Sequence, residues 1–193
     1  MSKVIYVTGA PAAGKSSTTR MLLERVPRAV LWEYGARLTE HVLARSGGIS
    51  GQDDLRARSA AVVTPEDVAT VDGALLAFVE EHRGRRPVLV DSHPVTREEY
   101  GFRVTAFRLD QVVALAPDEI WVLYAAPEEM RRRIAADAGG RPMIDEEQAR
   151  MHTAMQAAVA TTYGVAVGCP VYLFDTQVAD CDQLADRLAG RLA

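Results

Sequence analysis

An α/β fold, with a five-stranded parallel sheet and helices on both faces, is predicted by three observations. Five short apolar runs, beginning at Val4, Ala29, Val88, Glu119 and Val171, alternate along the chain with helical patterns. Strands that alternate with helices imply a parallel sheet joined by right-handed crossovers. Within each run apolar residues follow one another instead of alternating with polar ones, as in strands buried on two faces. Finally, 193 residues at 48% apolar content can bury one sizeable core, so a single domain over residues 1–193 is expected.

The first strand, Val4-Ile5-Tyr6-Val7, leads into Gly9-Ala10-Pro11-Ala12-Ala13-Gly14-Lys15-Ser16, and a helix carrying Ser17, Thr18 and Thr19 follows. In a strand, loop and helix setting, G-x-x-x-x-G-K-[ST] is a phosphate-binding loop. Gly9 and Gly14 admit backbone angles closed to other residues, so successive N–H groups can turn inward around a polyphosphate. The helix starting near Gly14 adds its unpaired N–H groups and positive dipole end. Lys15 can reach the β- and γ-phosphates of ATP, and the Ser16 hydroxyl can ligate Mg²⁺. Of the 22 cationic side chains only Lys3 and Lys15 are lysines, which singles out the loop position. The fold class is therefore a three-layer P-loop NTPase fold, with ligand at the carboxyl ends of the strands.

The first helix should run over about 15–26, until Pro27-Arg28 breaks it ahead of the second strand. Glu33, Tyr34 and Gly35 follow that strand and open a helical excursion over 33–60, including a flexible loop at Ser46 to Gly51. Thr64-Pro65 caps the next helix, whose buried stripe is Val68, Val71, Leu75, Leu76 and Val79. The third strand ends in Asp91, where a carboxylate stands beside the metal held by a phosphate loop. Ser92-His93-Pro94 follows, and His93 faces the same cleft if the strand is placed correctly. Thr96 to Phe102 reads as a polar loop containing Arg97, and Arg103 to Leu115 as a helix. After the fourth strand, Pro127 opens a helix carrying Arg131, Arg132 and Arg133, and glycines precede Arg141. Residues 131–145 then form a short lid, followed by a long helix to about Tyr163, the fifth strand and a closing helix from Asp182.

A net charge of −4 and a pI near 5.6 give no basic field for sequence-independent nucleic-acid binding. The start is too short for a signal peptide's apolar region, and no apolar run has the length of a membrane span, so neither a membrane nor a nucleic-acid partner is expected. Cys169 and Cys181 lack metal-site spacing, so both thiols are expected to be structural and the location cytoplasmic.

With no asparagine anywhere, the chain lacks the base-reading motif of GTPases. Motors and AAA-type ATPases are usually larger and act through partner domains. Phosphoryl transfer between small molecules instead needs a second pocket, a water-excluding lid and several guanidinium groups, all present in suitable places.

On its motifs the chain resembles the archaeal-type adenylate kinases, a branch of the P-loop nucleoside monophosphate kinases. The resemblance covers nearly the whole length: Tyr6-Val7-Thr8-Gly9 into the loop, Tyr34-Gly35, Asp53-Asp54-Leu55-Arg56, Val90-Asp91-Ser92-His93 and Thr162-Tyr163-Gly164-Val165. It implies that Lys15, Ser16 and Asp91 handle ATP and Mg²⁺. It also places Arg132, Arg133 and Arg141 in the lid or on the ATP side, and Arg56 and Arg97 toward the acceptor. By their positions after strands two and three, Glu33, Tyr34, Gly35, Arg37 and His93 are further acceptor-side candidates. Such kinases are often oligomeric, so a homo-oligomer is an expectation.

The chain departs from that pattern in having Glu33 before Tyr34-Gly35, fewer lid arginines, and Ala157 where a cation is expected. A nucleoside monophosphate acceptor needs no general base. A hydroxyl acceptor benefits from one, and Glu33 is the carboxylate in place.

Overall fold

A computed structural model of the chain describes residues 2–46, 48–137, 142–177 and 181–192. Its elements in chain order are β1 (Val4–Thr8), α1 (Lys15–Arg25), β2 (Val30–Glu33), α2 (Tyr34–Ser46), α3 (Gln52–Val62), α4 (Pro65–His82) and β3 (Val88–Asp91). They continue with β4 (Val95–Glu98), β5 (Gly101–Val104), α5 (Leu109–Leu115), β6 (Glu119–Tyr124), α6 (Pro127–Ala135), α7 (Glu146–Val167), β7 (Val171–Asp175) and α8 (Cys181–Leu192). The parallel sheet has the order β2-β3-β1-β6-β7, so the predicted fold class holds.

Alternation along β1 divides the core between the two faces. Val4 and Tyr6 pack with Val88, Val90, Ile120 and Val122 against α4, α5 and α7. Ile5 and Val7 pack with Leu89, Trp121 and Leu123 against Leu22 of α1 and Leu184, Leu188 and Leu192 of α8. Each of these side chains is nearly or fully buried, which contributes about 1.5–3 kcal/mol per large apolar group. Because every central strand is sealed on both faces, its carboxyl end is the free place for a ligand.

Helix starts follow their caps. Thr64 and Asp67 form a capping box at α4, and Asp145 and Gln148 form another at α7, each worth about 1 kcal/mol. Asp67 also accepts from His41 at 3.0 Å and pairs with Arg45 at 3.2 Å, which fixes α2 against α4. At Gly164 a Cβ would stand 2.4 Å from Val171 Cγ2, so the glycine of Thr162-Tyr163-Gly164-Val165 lets α7 lie close on β7.

One segment differs from expectation. The polar loop over 96–102 is an antiparallel hairpin of β4 and β5 that turns at Glu99-Tyr100, with Gly101 opening β5 at φ 135°. Consequently α5 begins at Leu109 and not at Arg103. The hairpin is held from α7, where Gln156 Nε2 and His152 Nε2 both donate to Val95 O, at 3.2 and 3.0 Å. Gln156 accepts from Thr8 Oγ1 at 3.0 Å, which ties the same helix to the end of β1.

Cys169 is half-buried, with its thiol pushed up mainly by burial. The Cys181 side chain lies outside the described residues. Among the described residues no helix is long and apolar enough to cross a membrane.

Candidate active site

The phosphate loop turns between β1 and α1, and three of its residues show how. A Cβ on Gly9 would stand 2.5 Å from Leu123 O on β6. Gly9 does not take a positive φ, so its need for glycine is close approach to a neighbouring strand, which corrects the conformational reason given above. The left-handed positions are Gly14, at φ 86°, and Ala12, at φ 62°. Left-handed backbone costs about 1–2 kcal/mol in an L residue, so Ala12 is a place where the loop stores strain. Ala10 and Ala13 are buried, and Ala13 N donates to Ala10 O at 3.1 Å. Pro11 is exposed beside them at the turn.

Gly14 caps α1, so Lys15, Ser16 and Ser17 occupy its first turn with Ser16 and Ser17 exposed. The Lys15 ammonium donates to Asp91 Oδ1, and both side chains are about nine-tenths buried. The loop lysine and the third-strand carboxylate, placed at ATP and metal by the sequence, thus meet each other. His93 Nδ1 stands 3.8 Å from the same oxygen. Burial pushes the Asp91 carboxyl up, but His93 and Lys15 outweigh it and hold it below the usual carboxylate range. Asp91 is therefore ionised at neutral pH.

Glu33 ends β2 in register with Asp91. It is exposed and lines an open cleft of about 430 Å³ with Ser16, Thr19, Arg20, Leu23, Glu24 and Leu31. The Ser16 hydroxyl follows Lys15, whose partner is Asp91, and a hydroxyl with a carboxylate suits a divalent cation held chiefly by phosphate oxygens.

The remaining candidates lie elsewhere. Tyr34 turns into the core, where its hydroxyl donates to Asp72 Oδ1 at 2.7 Å and its ring meets Phe107 edge-on. Burial, with Asp72, pushes that phenol well up. At Gly35 a Cβ would stand 2.7 Å from Gln52 Nε2, so this glycine serves the approach of α3 to α2. Both residues thus make framework contacts. Arg37 lies over the Trp32 ring at 5.3 Å and pairs with Glu40 at 3.0 Å. Arg97, on β4, is exposed and donates to Met143 O at 3.3 Å. The Arg56 side chain and all of Arg141 lie outside the described residues.

On α6, Arg132 is exposed and bound to Glu129 at 2.6 Å, whereas Arg133 is turned inward. Its Nε donates to Glu129 Oε1 at 2.7 Å, and its Nη1 to Ala12 O and Thr176 Oγ1, each at 3.1 Å. Hydrogen bonds from Arg132 and then Arg133 hold the Glu129 carboxyl down at about 2. Of the two arginines expected in the lid or on the ATP side, Arg132 is thus exposed on α6 and Arg133 lies against the loop's carbonyl side. Thr176 follows β7, is buried, and donates toward Ala13 O at 3.0 Å and Tyr124 O at 3.1 Å. Sequence reasoning missed it, since no motif marks a threonine so distant in the chain from the loop it touches.

Comparison with known proteins fits this geometry. A family model described as "AAA domain" matches residues 8–150. The adenylate kinase of Pyrococcus abyssi (strain GE5 / Orsay) is 25% identical over 167 residues, which cover 86% of this chain and 82% of that protein. That of Pyrococcus furiosus is 26% identical over the same shares. Among solved structures, a tunicamycin resistance protein of Deinococcus radiodurans superimposes with a TM-score of 0.61 at 15% identity, covering 100% of this chain and 96% of that one. A shikimate kinase from Acinetobacter baumannii in complex with shikimate gives 0.55 at 15%, covering 97% and 91%, and these two likenesses speak for the fold. Size was a poor ground for setting AAA-type proteins aside, because a model of that name fits within this chain. The chain belongs to this AAA-domain family and is, within it, a P-loop kinase.

Proposed function

We propose that the protein transfers the γ-phosphoryl group of Mg·ATP to a small acceptor, with a nucleoside monophosphate as the first candidate, as in the adenylate kinases it resembles. The observation that carries this reading is the phosphate loop at the carboxyl edge of the sheet, with Lys15 and Ser16 opening α1 and Asp91 against Lys15. Lys15 and the loop N–H groups hold the β- and γ-phosphate oxygens, while Ser16 and Asp91 are the residues that hold Mg²⁺. The ion supplies neutralisation of charge on the migrating group. Similarity to proteins named adenylate kinase over 86% of the chain supports the acceptor class. The test is ADP release from Mg·ATP with AMP, CMP, UMP and GMP in turn. Stimulation by one of them supports the reading, and no stimulation by any while ATP still binds refutes the acceptor class.

A second reading, a hydroxyl acceptor with Glu33 as general base, is favoured by one observation. Glu33 is an exposed carboxylate in register with Asp91 and in the same cleft as Ser16. Among the described residues it has no ion pair, so it is available to take a proton. Under this reading Glu33→Gln lowers kcat on the hydroxyl substrate about 100-fold. Under the first, transfer to a monophosphate stays within about threefold, because a phosphate acceptor requires no base.

A further inference from the structure

A phosphate loop works by pointing its N–H groups at the ligand, so its carbonyls must point away and find partners behind. In this chain those partners are Arg133 and Thr176. Ala12 O accepts from Arg133 Nη1, and Ala13 O accepts from Thr176 Oγ1. The two partners are joined, since Arg133 Nη1 also donates to Thr176 Oγ1. Each is anchored in turn. Glu129 holds Arg133 by its Nε, and Thr176 N donates to Tyr124 O at 2.9 Å at the end of β6. Space is tight, because a Cβ on Gly14 would stand 3.0 Å from Arg133 Nη1 and 3.2 Å from Thr176 Oγ1.

We infer that Arg133 and Thr176 form one clamp that sets the phosphate loop from behind, and that Arg133 is a positioning residue rather than a group on the transferring phosphoryl. Three features carry this. The guanidinium is engaged on its Nε side by Glu129 and on its Nη1 side by two acceptors, a geometry that a planar fork satisfies and an ammonium does not. Its target is the carbonyl of Ala12, the alanine held at φ 62°, where the loop most needs an external restraint. Thr176 has a single hydroxyl proton, shared between Ala13 O and Tyr124 O, and accepts from Arg133, so the loop contact and the arginine contact meet on one oxygen. Through Glu129 the clamp links the loop to α6, the helix that leads into the 131–145 segment.

The inference rests on the reading that the loop holds a polyphosphate, and wild-type binding tests that separately. The experiment is calorimetric titration with ATP and with inorganic tripolyphosphate on wild type, Arg133→Gln, Arg133→Lys, Thr176→Val, Thr176→Ser and the Arg133→Gln/Thr176→Val double variant, alongside ligand-free melting temperatures. Failure of the wild-type chain to bind either ligand overturns both readings. If the clamp is right, Arg133→Gln and Thr176→Val each weaken both ligands about tenfold, or 1.4 kcal/mol. Arg133→Lys does not restore binding, Thr176→Ser does to within about twofold, and the double variant is no more than about threefold worse than the worse single one. Three results overturn it with the polyphosphate reading intact. One is a loss on Arg133→Gln confined to ATP, which puts the guanidinium on the nucleoside. Another is wild-type binding by Thr176→Val. The last is additive loss in the double variant, which makes the two residues independent. Thr176→Ser keeps the test decisive if Thr176→Val melts early, because it retains the hydroxyl.

Discussion

The donor side and the acceptor side of the cleft use their charges in opposite ways. Around the phosphate loop the cations are internal and fixed, with Lys15 on Asp91 and Arg133 on the loop's carbonyl side. On the acceptor side they are exposed and bound to the protein's own surface, Arg37 on Glu40 and Trp32, Arg97 on Met143 O. The carboxylate there, Glu33, faces open solvent. Exposed pairs in water contribute about 0–1 kcal/mol and exchange partners easily, whereas the buried Lys15–Asp91 pair has to separate before Lys15 can meet a phosphate and Asp91 a metal ion. On the function proposed above, the contrast places the nucleotide contacts on buried groups of the fold and the acceptor contacts on a few replaceable surface groups.

The largest effect expected from this contrast is at Lys15. Lys15→Ala lowers turnover about 10³-fold, because the lost donor stands where the β/γ-phosphate charge lies. Arg37→Ala costs no more than about threefold, since its contacts are with Glu40 and Trp32. Steady-state ADP release on the two variants, each checked for a cooperative melt, measures the ratio. Comparable losses at the two positions would erase the distinction between the two sides.

A smaller effect tests whether the donor side is rigid by packing. The Cβ of Gly9→Ala would meet the backbone carbonyl of Leu123 at 2.5 Å, and neither β1 nor β6 can withdraw from a sheet buried on both faces. The expected cost is about 1–3 kcal/mol in urea unfolding, with weaker ATP binding as the loop shifts. Gly73→Ala, with open space around its Cβ in the helix α4, serves as the contrast and should be neutral or stabilising. Equal stability of the two variants would mean that the loop is not held against β6.

How much of this was legible in the sequence follows the same division. The sheet was readable because its strands are buried on both faces and therefore announce themselves as apolar runs, and the loop was readable because Gly14, Lys15 and Ser16 each answer a local demand, whereas the demand on Gly9 comes from Leu123 on β6. The hairpin was not, since Thr96, Arg97, Glu98 and Arg103 present half-exposed polar strands whose support, His152 and Gln156 on Val95 O, comes from more than fifty residues away. Nor could the sequence say which of three adjacent arginines turns inward. The i,i+4 pair Glu129–Arg133 was visible, but the phase of α6 against the loop is set by Met130 and Ile134 packing on Ala10 and Ala125. The partner of Tyr34 was hidden for a related reason, because the residue follows β2 while Asp72, which accepts from its hydroxyl, lies on α4.

The smallest effect expected concerns the join between the two sides and is read through pH. His152 is 2% exposed, its Nε2 donates to Val95 O, and the Phe102 ring stands edge-on at 5.1 Å. Burial depresses the imidazole below its ordinary value of 6.5. The carbonyl offsets this only in part, and the neighbouring His93 and Arg97 add to the depression. Below pH 6.5 the unfolded chain therefore binds a proton that the folded chain refuses, so the unfolded state is favoured and stability falls with falling pH. His152→Gln keeps an N–H donor for Val95 O and has no such proton to refuse. Urea midpoints of the two proteins should lie close together at pH 7.5 and separate toward pH 5.5, with wild type declining faster. Parallel decline would show that water reaches His152, and that the hairpin carrying Arg97 is less firmly joined to α7 than the phosphate loop is to α6.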